Sequence, residues 1–151
     1  MTTDNRRKNT GTFEVERTTG SHDVLDRLFV YGTLRQGQTA RSLIANQITR
    51  CVKAHTSGWI YAFPMGYPAF SEGDAMGKVV GEVIWITELA ATFGLLDAYE
   101  GADFARVIRE VTLEDGEVVW AWVYTLADPG AVRLGTRIDH GDWVRYWTEQ
   151  G

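Results

Sequence analysis

Tyr31-Gly32-Thr33-Leu34 follows the apolar run Leu28-Phe29-Val30 and precedes Arg35-Gln36-Gly37. The chain leaves a strand-like stretch, meets a glycine and turns into a polar loop. Without a Cβ at Gly32, backbone N–H groups can converge. Converging N–H groups form a concavity suited to a carboxylate or a phosphate. The second stretch of interest is Leu96-Asp97-Ala98-Tyr99-Glu100-Gly101, which places a carboxylate at the end of a helical pattern. The helix macrodipole disfavours an anion there by roughly 0.3–1 kcal/mol. A helix end and apolar neighbours would raise the pKa of Glu100, which suits a base that must later act as an acid. Together the two segments suggest an anion-holding loop and an acid/base group. Each also has a plainer reading: a glycine that only turns the chain, and a solvated glutamate beside a helix-ending glycine.

Other polar residues could support these two. Asp97 and Arg106 could pair and fix the segment around Glu100, although an exposed pair contributes little. Glu82 lies in a strand pattern and could be a second carboxylate in a barrel or sheet interior. The commoner reading of such a residue is a solvent-facing strand glutamate. Trp120, Trp122 and Tyr124 share one face of a strand and read as core or barrel wall rather than as a ligand platform. His22, His55, His140 and Cys51 show no HxxxH, HxH or CxxC spacing, so neither a metal site nor a metal cofactor is expected. No G-x-S-x-G nucleophile motif occurs. The loop from Gly32 to Gly37 lacks a following Lys-Ser/Thr, which excludes a Walker-type phosphate loop.

The elements that must position these residues follow from periodicity. Leu28 to Tyr31 reads as a buried first strand, and Thr39 to Ile48 has the apolar spacing of a short helix. Cys51 to Phe63, broken at Ser57-Gly58, reads as two strands or one bent strand. Pro64-Met65-Gly66-Tyr67-Pro68 is a turn. Gly77 to Ile86 reads as a strand in which Gly81 marks a bulge or a close backbone approach. Thr87 caps a helix reaching about Tyr99, with Leu89, Phe93 and Leu96 on its apolar face and Gly101 ending it. Phe104–Leu113 and Val118–Leu126, joined through Asp115-Gly116, form a hairpin. Ile138 to Tyr146 packs back on the core. Strands outnumber helices and do not alternate with them regularly. The expected class is α+β with an antiparallel or mixed sheet, not a doubly wound parallel fold.

Composition bounds the function. The chain has 151 residues, 44% of them hydrophobic, and a formal charge of -5. One domain over 27–151 is expected, preceded by a polar tail over 1–26 that lacks apolar density. The acidic balance argues against nucleic acid as a partner. No stretch approaches the roughly 20 apolar residues of a bilayer-spanning helix, so a membrane is not expected either. With Cys51 as its single cysteine, the chain fits a reducing, cytoplasmic setting.

The motifs, taken in order, resemble those of the gamma-glutamylcyclotransferase-like family. They are Phe29-Val30-Tyr31-Gly32-Thr33-Leu34-Arg35, Gly66-Tyr67-Pro68-Ala69, Val80-Gly81-Glu82-Val83, Leu96-Asp97-Ala98-Tyr99-Glu100-Gly101, Phe104-Ala105-Arg106 and Ala121-Trp122-Val123-Tyr124. Each is short and degenerate; their order and spacing are specific, from Leu28 to Trp147. The threonine in Tyr-Gly-Thr-Leu is more similar to the bacterial and gamma-glutamylamine branch than to the glutathione-degrading one. Phe104 stands where many members have tyrosine. The resemblance implies a small mixed β-barrel with flanking helices. It implies release of 5-oxoproline and a free amine from a small gamma-glutamyl amide, with Glu100 as the catalytic carboxylate. Tyr31, Gly32, Thr33 and Leu34 would then bind substrate, and Arg35, Glu82, Arg106 and Tyr124 would support them. Two alternatives stand beside this: removal of a gamma-glutamyl cap during biosynthesis of an amine-containing metabolite, and a non-catalytic small-molecule binding domain.

Overall fold

The structure, a computed structural model, describes residues 25–72 and 76–150. The expected tail over 1–26 falls almost wholly outside the described residues. Eight strands form one sheet. β1 (Arg27–Val30) pairs antiparallel with β5 (Lys78–Ile86), and β5 with β2 (Ile48–Ser57). β2 pairs antiparallel with β6 (Phe104–Leu113), and β6 with β7 (Val118–Leu126). β7 then meets β1 in parallel at Leu28 and Trp122, which closes these strands into a barrel. β4 (Pro68–Ser71) continues from β7 in parallel, and β3 (Trp59–Ala62) and β8 (Thr136–Arg137) extend that wing. The α+β mixed barrel expected from the motifs is the fold observed.

Side-chain alternation divides the apolar residues into two layers. Phe29, Val79, Val83, Val111, Leu113, Val119, Ala121 and Val123 fill the barrel. Leu28, Val30, Ile84 and Ile86 point outward and are covered by Leu34, Ala40 and Ile44 of the loop after β1 and by Phe93 and Leu96 of helix α1 (Leu89–Glu100). β1 is therefore buried on both faces, which is why its sequence is almost wholly apolar. Gly81 is the close approach anticipated for it: a Cβ there would lie 2.2 Å from the Val30 carbonyl oxygen and 2.9 Å from the Phe29 ring.

Several local expectations change. The stretch 39–48 is not a helix but two 3-10 turns, Arg41–Leu43 and Ala45–Gln47, separated by Ile44 at φ −129°. Apolar spacing there reports burial of Ala40 and Ile44 over the barrel rather than a continuous helix. Thr87 does not cap α1. The residue before the helix is Glu88, at φ 53°, with no side-chain cap. The apolar face read for α1 is present, with Phe93 and Leu96 buried. The helix ends at Gly101, whose φ of 79° suits glycine. Trp120 is not core; it is 55% exposed, while Val119, Ala121 and Val123 point inward. β4 and β8 are short and lie in turn-rich sequence, where no periodicity marks a strand. The hairpin of β6 and β7 has the bounds read from the sequence. Ile138 and Trp143 pack back on the core as expected, Trp143 opening helix α2 (Trp143–Gln150). No helix among the described residues is long and apolar enough to cross a membrane.

Candidate active site

Because β1 and β7 run parallel, the end of β1, the end of β7 and the start of β6 meet at one rim of the barrel. A cavity of about 480 Å³ opens there. Its walls include Tyr31, Gly32, Thr33 and Leu34 from the loop, Tyr67 and Pro68 from the approach to β4, and Tyr99 and Glu100 from the end of α1. Segments 68 residues apart in sequence, Gly32 and Glu100, thus face one space.

The loop is shaped by where its carbonyl groups go. Gly32 O accepts from Arg35 N at 3.0 Å, Thr33 O from Ala40 N at 2.9 Å and Arg35 O from Gln38 N at 3.0 Å. Leu34 O accepts from Arg41 Nη1 at 3.3 Å. The N–H groups of Gly32, Thr33 and Leu34 have no partner among the described residues, and all three residues line the cavity. Unsatisfied donors on a polar cavity wall are anion-binding equipment. Gly32 has a further reason to be glycine: a Cβ there would stand 2.5 Å from Cγ of Pro68.

Glu100 is the last residue of α1. Its carboxylate has no hydrogen-bond or ion-pair partner among the described residues. Burial pushes its pKa up to about 7, because a desolvated carboxylate favours its neutral form. Near neutral pH it therefore exists in both protonation states.

Two tyrosines fix the rim. The Tyr31 hydroxyl donates to Tyr124 O at 2.8 Å and accepts from Phe70 N at 3.1 Å, tying β1, β7 and β4 together. Burial, with the nearby Glu100 charge adding to it, holds its pKa far above the usual phenol range, so this hydroxyl stays protonated. The Tyr124 hydroxyl donates to Asp97 Oδ1 at 2.6 Å. Burial first and the bond to Asp97 second raise its pKa as well. Arg106 donates to both Asp97 oxygens, at 2.8 and 3.1 Å. These hydrogen bonds lead the causes that lower the Asp97 pKa. The pairing read from sequence thus exists, and it pins the last turn of α1 to β6 and β7. Tyr99 adds a bridge from α1 to the loop, its hydroxyl lying 3.1 Å from Thr33 Oγ1.

The structure does not bring Arg35, Arg106 or Glu82 to the cavity wall. Arg35 turns away to Asp142, with Nη1 donating to Oδ1 at 2.8 Å. Glu82 is neither solvent-facing nor in the barrel interior. It shares the outward face of β5 with Ile84 and Ile86, yet it is only 8% exposed because the loop lies over it. Sequence reasoning missed Tyr67, Tyr99 and Asp103 on the wall. For Tyr99 a signal existed in its place beside Glu100. Asp103 and Tyr67 come from turns whose direction no periodicity encodes. No group of three or more His, Cys, Asp or Glu placed to hold a metal ion occurs among the described residues.

A family model described as gamma-glutamyl cyclotransferase, AIG2-like, matches residues 28–145. The chain belongs to this family. A protein of Halalkalibacterium halodurans that carries gamma-glutamylcyclotransferase as a provisional name is 34% identical over 106 residues, covering 64% of this chain and 86% of its own. An Arabidopsis thaliana protein of known solution structure superposes with a TM-score of 0.66 at 27% identity, over 88% of this chain and 81% of that one. YkqA from Bacillus subtilis has a TM-score of 0.68 at 24% identity, over 84% of this chain. The match spans 42% of the YkqA chain, and the likeness there is one of fold.

Proposed function

We propose that the protein is a cyclotransferase that cleaves a gamma-glutamyl amide into 5-oxoproline and a free amine. The observation that carries this reading is Glu100: an unpaired, desolvated carboxylate with a pKa of about 7, facing the same cavity as three unpartnered loop N–H groups. The substrate's α-carboxylate would bind the N–H groups of Gly32, Thr33 and Leu34. Its α-amine, protonated near neutral pH, would lose a proton to Glu100. The freed amine attacks the γ-carbonyl carbon, closing a five-membered lactam, and the C–N bond to the leaving amine breaks. Glu100 returns its proton to the departing nitrogen as that bond breaks, and the surplus proton on the ring nitrogen passes by way of the Glu100 carboxylate to the free amine, which leaves as an ammonium ion. One carboxylate with a pKa near the working pH can serve both steps. The reaction calls for no enzyme nucleophile. Holding both ends of the glutamyl unit supplies proximity, which can lower the barrier by several kcal/mol. The tyrosine hydroxyls hold the walls rather than take part in proton transfer, since Tyr31 already donates to a backbone carbonyl and Tyr124 to Asp97.

The amine half would extend past Glu100 toward Met65, Tyr67, Tyr99 and Phe104, a mostly apolar rim. Glu100 and Asp103 are the charged residues among those lining the cavity. A leaving amine bearing its own carboxylate would meet repulsion there, which favours simple amines over amino acids. Incubation with a panel of gamma-glutamyl amines and gamma-glutamyl amino acids, assayed for 5-oxoproline, tests the proposal. No 5-oxoproline from any member would refute it.

A further inference from the structure

Among the described residues, the carboxylate with the most partner residues lies behind the cavity rather than in it. Glu82 Oε1 accepts from Gln36 N at 3.0 Å and from Arg41 Nη1 at 3.1 Å, with Cys51 Sγ at 3.6 Å. Its Oε2 lies 3.9 Å from Arg35 Nε. An ionised carboxylate this well buried is costly unless charged donors surround it, and losing one donor leaves the penalty uncompensated. The partners come mainly from loop 32–41: Gln36 donates a backbone N–H, Arg41 donates from its guanidinium, and Arg35 adds a positive charge 3.9 Å away without a hydrogen bond. Arg41 Nη1 also donates to Leu34 O. Arg35 continues the chain of contacts to Asp142, which accepts from Arg145 N of α2 at 3.3 Å.

We infer that Glu82 is a positioning residue: from β5 it holds loop 32–41, through Gln36 and Arg41, in the shape that aims the Gly32, Thr33 and Leu34 N–H groups at an anion. Glu82 does not line the cavity, so it acts without touching substrate. Arg41, held by Glu82, also donates to the Leu34 carbonyl, so one guanidinium ties that peptide to β5. A preorganised set of donors needs no reorganisation when the ligand arrives. Two 3-10 turns, not a regular helix, end this loop. The buried ion pair supplies the rigidity instead.

The inference rests on the proposed reaction only in naming the anion as the substrate's α-carboxylate. Its test therefore has two readouts. Glu82→Gln keeps the shape and removes the charge; Arg41→Met removes the bridging donor at a partly exposed site and serves if the first variant does not fold. Amide hydrogen exchange on the full chain should show faster exchange at Gln36 and Ala40, by a larger factor than at the amides of β5 and β6, whatever the change in melting temperature. With gamma-glutamyl-propylamine as probe, KM should rise about tenfold or more, as expected if the binding-competent fraction falls by that factor. The decrease in kcat should be smaller. Inhibition by the α-carboxamide counterpart should stay unchanged, a discrimination that general destabilisation would not produce. Unaltered loop exchange together with unaltered KM in a folded variant would overturn the inference. Absence of turnover in the wild-type protein would strike the proposed reaction, and the exchange measurement would then decide the role of Glu82 by itself.

Discussion

Glu100 combines two properties that seldom coincide: it is largely shielded from water, and it has no partner among the described residues to offset that shielding. The sequence argument ascribed its raised pKa to the helix end and to apolar neighbours; burial is the cause found in the structure. Glu100→Gln should fold and lose most turnover, by about 10²–10⁴-fold, the usual contribution of a general acid–base group. Near-wild-type 5-oxoproline formation by the folded variant would exclude Glu100 as the base. The base form must be present to accept the amine proton, so kcat/KM should climb as pH rises through about 7, and Glu100→Gln should lack that limb. Stability carries the same signature with a definite sign. The folded pKa of Glu100 is raised above 4.5, so the folded state binds more protons than the unfolded chain between these values. Its contribution is fully favourable below about 4.5 and is lost as pH approaches 7. Glu100→Gln should therefore gain stability relative to wild type across that window, on the order of 2 kcal/mol, measurable by urea denaturation at pH 4.5 and 7.5. A constant difference at the two pH values would contradict the burial.

At the scale of elements, the site is a junction of three pieces: the loop after β1, the approach to β4 and the last turn of α1. Gly32 and Pro68 are the contact between the first two. In Gly32→Val the new Cβ would fall 2.5 Å from Pro68 Cγ, so either the loop or the β4 approach must move. Overpacking of this kind costs about 1–3 kcal/mol, and displacement of the loop N–H groups should raise KM as well. The double variant Gly32→Val, Pro68→Ala separates the two effects. Melting temperature should recover toward wild type while KM stays high if the valine also blocks the carboxylate. Full recovery of both would mean that Gly32 serves packing alone. α1 is anchored independently through Asp97, which Tyr124 and Arg106 hold from neighbouring strands. This explains how a residue at a helix end can keep a fixed direction.

The described residues form a closed barrel with one outer layer, and the cavity residues named above lie among them. Asp26 still contributes, since its carbonyl accepts from Ile86 N at 2.8 Å. A chain beginning at Leu25 should therefore fold with an unchanged melting temperature and keep its kcat for gamma-glutamyl-propylamine. A large fall in kcat at constant melting temperature would assign the preceding residues to the active site. The barrel also explains the reach of the network described here. β5 lies between β1 and β2, so a carboxylate on its outer face sits directly under the loop that leaves β1.

Much of this is legible in the sequence. The apolar run of β1, the paired strands around Asp115-Gly116, the apolar face of α1 and the glycine at its end are local patterns, set by side-chain period and backbone sterics. The motifs around Gly32 and Glu100 likewise marked the residues that face the cavity. Other features depend on which segments meet. Burial of Glu100 depends on what closes over α1, and the need for glycine at 32 depends on Pro68, 36 residues away. Glu82 is the clearest case. The sequence left it between the barrel interior and solvent, and the pairing of β5 put it on the face opposite Val83, away from the interior. Whether that face met water or a loop bearing two arginines was decided by the path of the chain after β1. Period and propensity act over a few residues, whereas desolvation and charge pairing depend on neighbours in space. Tertiary structure alone therefore decided which carboxylate is left unpaired and which is clamped.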